Sequence, residues 1–200
     1  MKIALTFDDG PSIYTTRILN TLQHNEGRLS FFVMGSSVEE HKGKIMRAAY
    51  MGCEIICHAW DHQDYTKLSK RAIKKQLYNT IAAIATVTGS ASLIFRPPYG
   101  VYNEKVVKVA QKLGLAMVNW SVDPKDWENF DADAIYSIIM NEVKEGDIIL
   151  CHDVYDSTAK AMTRVIPDLI AQGYELVTVS ELLQSKFGEL EPGKMYYELV

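Results

Sequence analysis

Two adjacent carboxylates, Asp8 and Asp9, follow an apolar, strand-like stretch over residues 2–7. The turn-forming pair Gly10-Pro11 comes directly after them and lets the chain bend where the two acids emerge. Because successive side chains of a strand point to opposite faces, the two carboxylates can reach one pocket from different angles. One of them is then available to bind a metal ion and the other to transfer protons.

A second group of polar residues offers further metal ligands. His58 and His62 follow the apolar stretch over residues 53–57 and, with Asp9, form a set of two histidines and one carboxylate. Three such ligands are typical of a catalytic zinc-type site, where the open position binds a water whose pKa the metal lowers. The spacing of the two histidines fits a helix face or a loop equally well. The hypothesis of a metal site therefore depends on the neighbouring carboxylates.

Two pairs of opposite charge could serve as base and acid. Asp8 is suited to take a proton from water, and Arg96, which precedes two prolines, is a natural charge partner for this carboxylate. His152 ends another apolar stretch, and Asp126 could orient it and raise its pKa, so that it protonates a leaving group. The alternative interpretations are a surface arginine at position 96 and a buried structural histidine at position 152.

Apolar residues stand beside these charges. Trp127 follows Asp126, and Leu150 precedes His152 by two positions. Trp127 and Leu150 could line a small pocket beside the metal, large enough for a methyl group. The alternative for Trp127 is a structural role in the core, which is more common for a tryptophan than a role in a binding pocket.

Apolar residues recur at helical spacing in seven segments, and short apolar stretches alternate with them. The pattern predicts helices over residues 12–24, 38–51, 69–88, 103–113, 132–143, 159–171 and 179–186, with Ser12 as a candidate N-cap. It predicts strands over residues 2–7, 28–33, 53–57, 93–95, 115–122, 147–151 and 175–177. Strict alternation predicts a parallel sheet covered by helices, as a doubly wound sheet or a closed barrel.

The polar residues favour the barrel. They close at least five of the predicted strands, and in a barrel all these strand ends converge on one mouth. No repeat, low-complexity segment or linker divides the chain, so we expect one catalytic domain over residues 1–186. Residues 187–200, which contain Pro192-Gly193, are expected to be an appended C-terminal tail.

Composition argues against several classes of partner. The chain has 200 residues, 48% of them hydrophobic, which suffices for one domain with a substantial core. Its formal charge is -4 without a long basic run, which argues against a nucleic-acid or anionic-membrane surface. No apolar run reaches the roughly 18 residues that span a bilayer, and no signal peptide precedes the first strand. The chain is therefore expected to be cytoplasmic or the catalytic module of a longer exported protein.

Cys53, Cys57 and Cys151 are odd in number and fit neither a disulfide framework nor a zinc-knuckle pattern. Cys57 precedes His58 and Cys151 precedes His152, so strand alternation turns each of these thiols away from the face that its histidine uses. We therefore expect the three thiols to pack in the core.

Five motifs resemble, in order, those of the polysaccharide deacetylases, also called the NodB homology domain or carbohydrate esterase family four. They are TFDDGP over residues 6–11, HAWDH over 58–62, RPPYG over 96–100, DPKDW over 123–127 and LCH over 150–152. Some of these motifs are common individually, but five in order at matching spacing are highly specific. The resemblance covers roughly residues 2–185.

The resemblance implies a distorted (β/α)7–8 barrel in the α/β class, which removes acetyl groups with one divalent metal ion: Zn, or alternatively Co, Ni or Mn. It implies the metal ligands Asp9, His58 and His62. It assigns Asp8 as base with Arg96 as its partner, and Asp126 with His152 as the acid pair. It implies an oxyanion contact from the Tyr99 backbone N–H and an acetyl pocket lined by Trp127 and Leu150. Two positions depart from the family pattern: Ala59, usually Ser or Thr, and Gln63, frequently Pro.

The sequence thus predicts a monomeric hydrolase that removes N-acetyl groups from N-acetylglucosamine residues of peptidoglycan or chitin-like glycans. Its expected place is the cell envelope or the extracellular space, as part of a longer exported chain. The first alternative is an acetylxylan esterase, and a cytoplasmic metallohydrolase of small metabolites is another. An inactive carbohydrate-binding module is disfavoured, because binding alone needs neither Asp8 nor His152.

Overall fold

Eight strands and seven α-helices alternate in the computed structural model, which describes residues 1–199. The strands are β1 Lys2–Asp8, β2 Ser30–Met34, β3 Glu54–Ala59, β4 Ile94–Phe95, β5 Ala116–Val118, β6 Ile148–His152, β7 Glu175–Leu176 and β8 Met195–Tyr196. The helices are α1 Thr15–Gln23, α2 Lys42–Tyr50, α3 Lys70–Thr88, α4 Glu104–Leu113, α5 Ala132–Glu142, α6 Asp156–Ala171 and α7 Val179–Phe187. The predicted alternation of strands and helices is confirmed.

The named strands pair in parallel in one curled sheet with the order β6-β1-β2-β3-β4-β5-β8, and β7 also pairs with β1. After β5 the chain returns to the opposite edge, where Val122 forms a parallel bridge with Ile149 of β6. An antiparallel bridge between Asp147 and Glu198 lies beside it. These bridges bring the two edges together, so the sheet has the distorted α/β barrel architecture that the sequence predicts.

Successive side chains of β1 point to opposite faces of the sheet, and each face contributes to a different apolar core. Ile3, Leu5 and Phe7 belong to the larger core, which packs between the sheet and the helices. Ala4 belongs to a smaller core enclosed with residues of the other strands. The side chains of Thr6 and Asp8 share the face of Ala4, because the side-chain period of a strand is two.

Polar residues take over this interior face at the carboxyl ends of the strands. His58 follows the interior residue Ile56 by two positions on β3, and Arg96 follows the interior residue Ile94 by two positions after β4. His152 ends β6, beside Asp8 in the register of the sheet. Because the strands are parallel, their carboxyl ends meet at one rim, and the polar side chains converge there.

Helices α3 and α4 begin and end at the residues that the sequence indicates. The Ser69 side chain accepts a hydrogen bond from Ala72 N, and Gly89 ends α3 at a positive φ of 80°. Asn103 and Gly114 do the same for α4. The prediction of Ser12 as the N-cap of α1 is wrong: Tyr14 occupies that position, and the Ser12 hydroxyl donates to the carbonyl of Asp153 instead.

The segment expected to be an appended tail contributes a strand. Met195 and Tyr196 form β8 and pair with Met117 and Val118 of β5. Tyr196 is buried within the smaller core. The chain up to residue 199 therefore packs as part of the barrel. None of the helices described over residues 1–199 has both the length and the apolar character that crossing a membrane requires.

The three cysteine thiols lie in the core, as predicted. Cys53, Cys57 and Cys151 are free and buried. Burial raises the pKa of the Cys53 thiol to about 11 and also raises the pKa of the other two thiols. All three are therefore neutral near pH 7 and act as small apolar side chains.

Candidate active site

A cavity of about 420 Å³ opens at the rim where the strand ends meet, within the roughly 300–1,000 Å³ typical of ligand sites. Eight of the ten residues singled out from the sequence line it: Asp8, Asp9, His58, His62, Tyr99, Trp127, Leu150 and His152. The other two, Arg96 and Asp126, are fully buried and contact lining residues from behind. The structure thus brings all ten residues together, while their individual roles stay predictions.

Asp9, His58 and His62 bring three potential metal-ligand atoms together. Asp9 Oδ1 lies 3.4 Å from His58 Nε2 and 3.2 Å from His62 Nε2. One such atom from each residue lies within 4.8 Å of the others. Asp9 Oδ1 is buried and has no hydrogen-bond partner among residues 1–199. A donor set of two imidazole nitrogens and one carboxylate oxygen with such an unpartnered atom fits a divalent metal ion.

The surroundings prepare these three side chains as ligands. His58 Nδ1 lies 2.8 Å from the carbonyl oxygen of Arg96, so a proton on Nδ1 can be donated to that carbonyl, and Nε2 faces Asp9 with its lone pair. Burial would raise the pKa of Asp9, but His58 and His62 lower it to about 2, so Asp9 is ionised. Asp9 and His62 also have positive φ angles of 72° and 58°, a conformation that is uncommon for non-glycine residues and that clusters at active sites.

Asp8 is held by a buried arginine. Arg96 Nη1 donates to Asp8 Oδ1 at 2.6 Å and to Thr6 Oγ1 at 2.9 Å. The remaining guanidinium nitrogens donate to the carbonyls of Val118 and Asn119. The second carboxylate oxygen of Asp8, Oδ2, is left on the cavity side, 3.9 Å from His58 Nε2. Arg96 is therefore neither at the surface nor in the cavity, and it fixes the orientation of Asp8.

His152 is held by a buried carboxylate. Asp126 Oδ1 lies 2.7 Å from His152 Nδ1, and Asp126 Oδ2 accepts hydrogen bonds from His152 N and Thr158 Oγ1. Burial would lower the pKa of His152, but its hydrogen bond to Asp126 and the charge of that residue raise the pKa to about 9. The imidazole is therefore protonated near pH 7 and can donate a proton from Nε2 into the cavity.

The pair of His152 and Asp126 predicts how kcat/KM depends on pH. If His152 donates a proton in the reaction, kcat/KM should fall as the pH rises through about 9, where the imidazolium loses its proton. Asp126→Asn should move this decline about 1–3 pH units lower, because it removes the charge that favours the imidazolium. Rate profiles of both proteins test this, with the exposed Asp133→Asn as a control that keeps the original profile. An unmoved alkaline limb in the Asp126 variant would exclude His152 as its origin.

The apolar wall of the cavity contains residues that the sequence indicated and two that it did not. Leu150 is 3% exposed and Trp127 is 46% exposed, so Leu150 forms the floor and Trp127 the rim. Tyr99 has a φ of 60°, and its ring packs edge-on against His62 with centroids 4.6 Å apart. Trp120 and Tyr155 also line the cavity, and sequence reasoning missed them because neither belongs to one of the motifs.

Asp153 is a further buried carboxylate that sequence reasoning missed, although it adjoins His152. It accepts a hydrogen bond from Thr15 Oγ1, and burial raises its pKa to about 7. A Cβ atom placed on Gly10 would lie 2.0 Å from Asp153 Oδ1. The turn that follows Asp9 therefore packs directly on Asp153, which explains why position 10 needs glycine.

The histidine loop is held by a residue of α3. Gln76 Oε1 accepts a hydrogen bond from Trp60 N at 2.8 Å, and Gln76 Nε2 donates to Asp61 Oδ1 at 2.5 Å. Gln63, at a position where the family pattern frequently has proline, donates from Nε2 to Asp61 Oδ2 at 2.8 Å. Side-chain hydrogen bonds therefore fix the segment between the two histidines.

Comparison with known proteins finds relatives whose names describe deacetylases. The family model described as "Polysaccharide deacetylase" matches residues 1–118. The chain is 37% identical to the peptidoglycan-N-acetylglucosamine deacetylase PgdA of Listeria monocytogenes over 98% of its own length. It is 33% identical to the chitooligosaccharide deacetylase of Sinorhizobium fredii, over 86% of this chain and 87% of that protein. The chain spans only 41% of the length of the Listeria protein.

A solved structure with a similar fold is a family 4 acetyl xylan esterase from Clostridium thermocellum in complex with a cobalt ion. The two chains superpose with a TM-score of 0.92 at 31% identity, over 100% of this chain and 99% of the esterase. The likeness therefore extends over the whole barrel, including the part of the chain beyond residue 118.

Proposed function

Because the chain belongs to the polysaccharide deacetylase family, we propose that it is a metal-dependent hydrolase that removes N-acetyl groups from N-acetylglucosamine residues of peptidoglycan or a chitin-like glycan. One observation carries the proposal: Asp8 and His152 line one cavity, and each has a buried partner of opposite charge behind it. The names of two relatives, which specify peptidoglycan N-acetylglucosamine and chitooligosaccharide, support this substrate class. The name of the peptidoglycan deacetylase also favours action at the cell envelope.

Asp9, His58 and His62 would hold the metal ion, and their two nitrogens and one oxygen suit Zn, with Co, Ni and Mn as alternatives. When bound, such an ion supplies Lewis-acid polarisation of the acetyl carbonyl and lowers the pKa of a water molecule. The hydrogen bond between His58 and the Arg96 carbonyl would keep the imidazole in the orientation that binding needs.

The chain's own side chains then divide the proton transfers. Asp8 accepts a proton from the attacking water while the water oxygen bonds to the acetyl carbon. The C–N bond breaks as His152 donates its proton to the amine nitrogen, so that acetate and a free amine leave. Arg96 and Asp126 hold this base and this acid in place. The Tyr99 backbone N–H would stabilise the oxyanion, and Trp127 and Leu150 would enclose the acetyl methyl group.

Acetylxylan esterase activity is the second candidate, because the cobalt-containing structure with a TM-score of 0.92 has that name. An amide is harder to cleave than an ester, since its amine must be protonated as it leaves. The buried Asp126 raises the pKa of His152 and so equips the site for that protonation, which an ester requires less. The amide substrate is therefore preferred.

Product analysis on a panel of acetylated glycans tests this choice. We expect the metal-loaded protein to release acetate from N-acetylglucosamine oligomers, and from longer oligomers faster than from shorter ones. His152→Ala should lose more activity on these amides than on an activated acetyl ester. Rapid deacetylation of acetylxylan, with none on chitooligosaccharides or peptidoglycan at the same metal loading, would replace the proposal by the esterase alternative.

A further inference from the structure

Two neighbouring helices, α3 and α4, concentrate positive charge on the outside of the barrel. Helix α3 contains four lysine or arginine residues and no acidic residue, and α4 contains three lysines and one glutamate. The whole chain, by contrast, has a formal charge of -4. Both helices line a groove of about 420 Å³, which we call the α3–α4 groove. Five of its lining residues are exposed cations: Lys70, Arg71, Lys74, Lys108 and Lys112.

Little within the protein balances these charges. Lys108 pairs with Glu104 at 2.5 Å, but the other four cations of the groove form no ion pair within residues 1–199. Lys70 and Arg71 also stand in the first turn of α3, where the helix macrodipole disfavours cations. On each helix two lysines of the groove are four residues apart, so they repel each other on one helix face. Helix stability therefore does not account for these cations.

The side chains that line the groove offer hydrogen-bond donors and methyl groups only. Lysine and arginine side chains have no acceptor, and the remaining lining residues are Val109 and Leu113. A peptide or a sugar chain, even an acidic one, would place N–H or O–H groups against this lining and find no side-chain acceptor. A phosphodiester group has a full negative charge and only acceptor oxygens, and lysine is a common ligand of phosphate. The lining therefore favours phosphodiester groups.

The arrangement of the cations suits a chain of repeated charges. Residues four apart in a helix are separated by about 6 Å along its axis, so each helix presents two lysines one turn apart. Val109 is buried and Leu113 is half-buried, so neither can insert into a bilayer as the apolar residues of membrane-binding helices do. No aromatic ring lines the groove, so a nucleobase would have nothing on which to stack.

We propose that the α3–α4 groove binds a linear polyanion that carries repeated phosphodiester groups and no nucleobases. The lysine and arginine side chains on both sides of the groove would contact its phosphate oxygens. The groove shares no lining residue with the cavity that contains Asp8 and His152, so the inference does not depend on the proposed function. A bound polyanion would hold the protein at a phosphate-rich surface, while the cavity stays free for its own substrate.

Fluorescence anisotropy with a labelled, base-free glycerol phosphate oligomer tests this proposal. Binding is expected at low ionic strength and should weaken steeply as salt is added. Lys70→Gln combined with Lys74→Gln should raise Kd about 10- to 30-fold, because two contacts to phosphate are lost. Lys108→Gln combined with Lys112→Gln should have a similar effect. Lys70→Arg combined with Lys74→Arg should keep the affinity, because both charges are retained.

Lys2→Gln combined with Lys144→Gln is the matched control, because both lysines are exposed and neither lines the groove. This control changes the net charge by the same amount and should alter Kd by less than about twofold. Thermal unfolding of each variant verifies that the mutated chain is folded. Absent binding by the unmodified protein, or an equal loss of affinity in the control and the groove variants, would overturn the proposal.

Three further probes distinguish the class of partner. They are a single-stranded oligonucleotide with the same number of phosphates, a polyglutamate of the same charge, and vesicles that contain an anionic phospholipid. Each is expected to bind no more tightly than the glycerol phosphate oligomer, since the groove has no groups that recognise bases, peptide N–H groups or acyl chains. Tighter binding of any of them would overturn the assignment and identify a nucleic acid, an acidic peptide or a membrane as the partner.

Discussion

Replacing Asp8 with asparagine is expected to lower kcat by roughly 10³- to 10⁴-fold, because the amide cannot accept the proton of the attacking water. Substrate binding should change much less, since Asp8 acts in the transition state. The geometry is consistent with a role in turnover and not in substrate binding. Asp8 Oδ1 accepts a hydrogen bond from Arg96 at 2.6 Å, whereas Oδ2 is free to accept a proton in the reaction. Steady-state kinetics at fixed metal loading measure both parameters.

The same substitution should also lower the free energy of unfolding, because Arg96 is fully buried and loses its counter-charge. Breaking a buried ion pair typically costs about 3–5 kcal/mol. Because asparagine keeps an acceptor oxygen for Arg96, we expect the free energy of unfolding to fall by less than about 3 kcal/mol. Urea unfolding establishes the conditions in which the variant is folded. Asp168→Asn is the control, because Asp168 is a half-buried carboxylate on α6 that accepts a hydrogen bond from the Tyr136 hydroxyl of α5. Near-normal turnover in the folded Asp8 variant would assign the base to another residue.

Removing the metal is expected to abolish activity, and so is removing one of its proposed ligands. Chelation should eliminate turnover, and added Zn, Co, Ni or Mn should restore it. His62→Ala should lose bound metal and at least about 100-fold in activity, because only two protein ligands are left. The fold should persist, since the His62 side chain is 29% exposed and lies in a loop held by Gln76.

Metal content by elemental analysis and thermal unfolding of the metal-free proteins distinguish ligand loss from unfolding. His24→Ala is the matched control, because His24 is exposed at the end of α1 and outside the cavity. It should keep the metal content and the activity of the unmodified protein. A His62 variant with full metal content and full activity would contradict the ligand assignment.

Local sequence patterns were sufficient for most of the helices and for the rim of the barrel. Helical spacing with capping residues located α3 and α4 to within one residue, because caps and glycine C-termini act through neighbouring backbone groups. Among the strands, β8 was not predicted. Its two residues are too few for a periodic signal, and it is a strand because it lies against β5.

The sequence by itself determined which residues could do chemistry and that they share one rim. Polar side chains that end parallel strands must converge, so Asp8, Asp9, His58 and His152 could be placed together without coordinates. The motifs also indicated which elements would carry the proposed acid and base. Both inferences depend on local order along the chain and on the direction of the strands.

Only the tertiary structure decided how these residues are held. The carbonyls of Val118 and Asn119 hold the Arg96 guanidinium across 22 and 23 positions of sequence, and Thr158 reaches Asp126 across 32. Such contacts depend on strand register and on how α6 docks, and neither follows from residue spacing. For the same reason the packing of Gly10 against Asp153 had no counterpart in the motifs. The physical reason is that side-chain packing between distant segments is fixed by the assembled barrel and has no local periodicity.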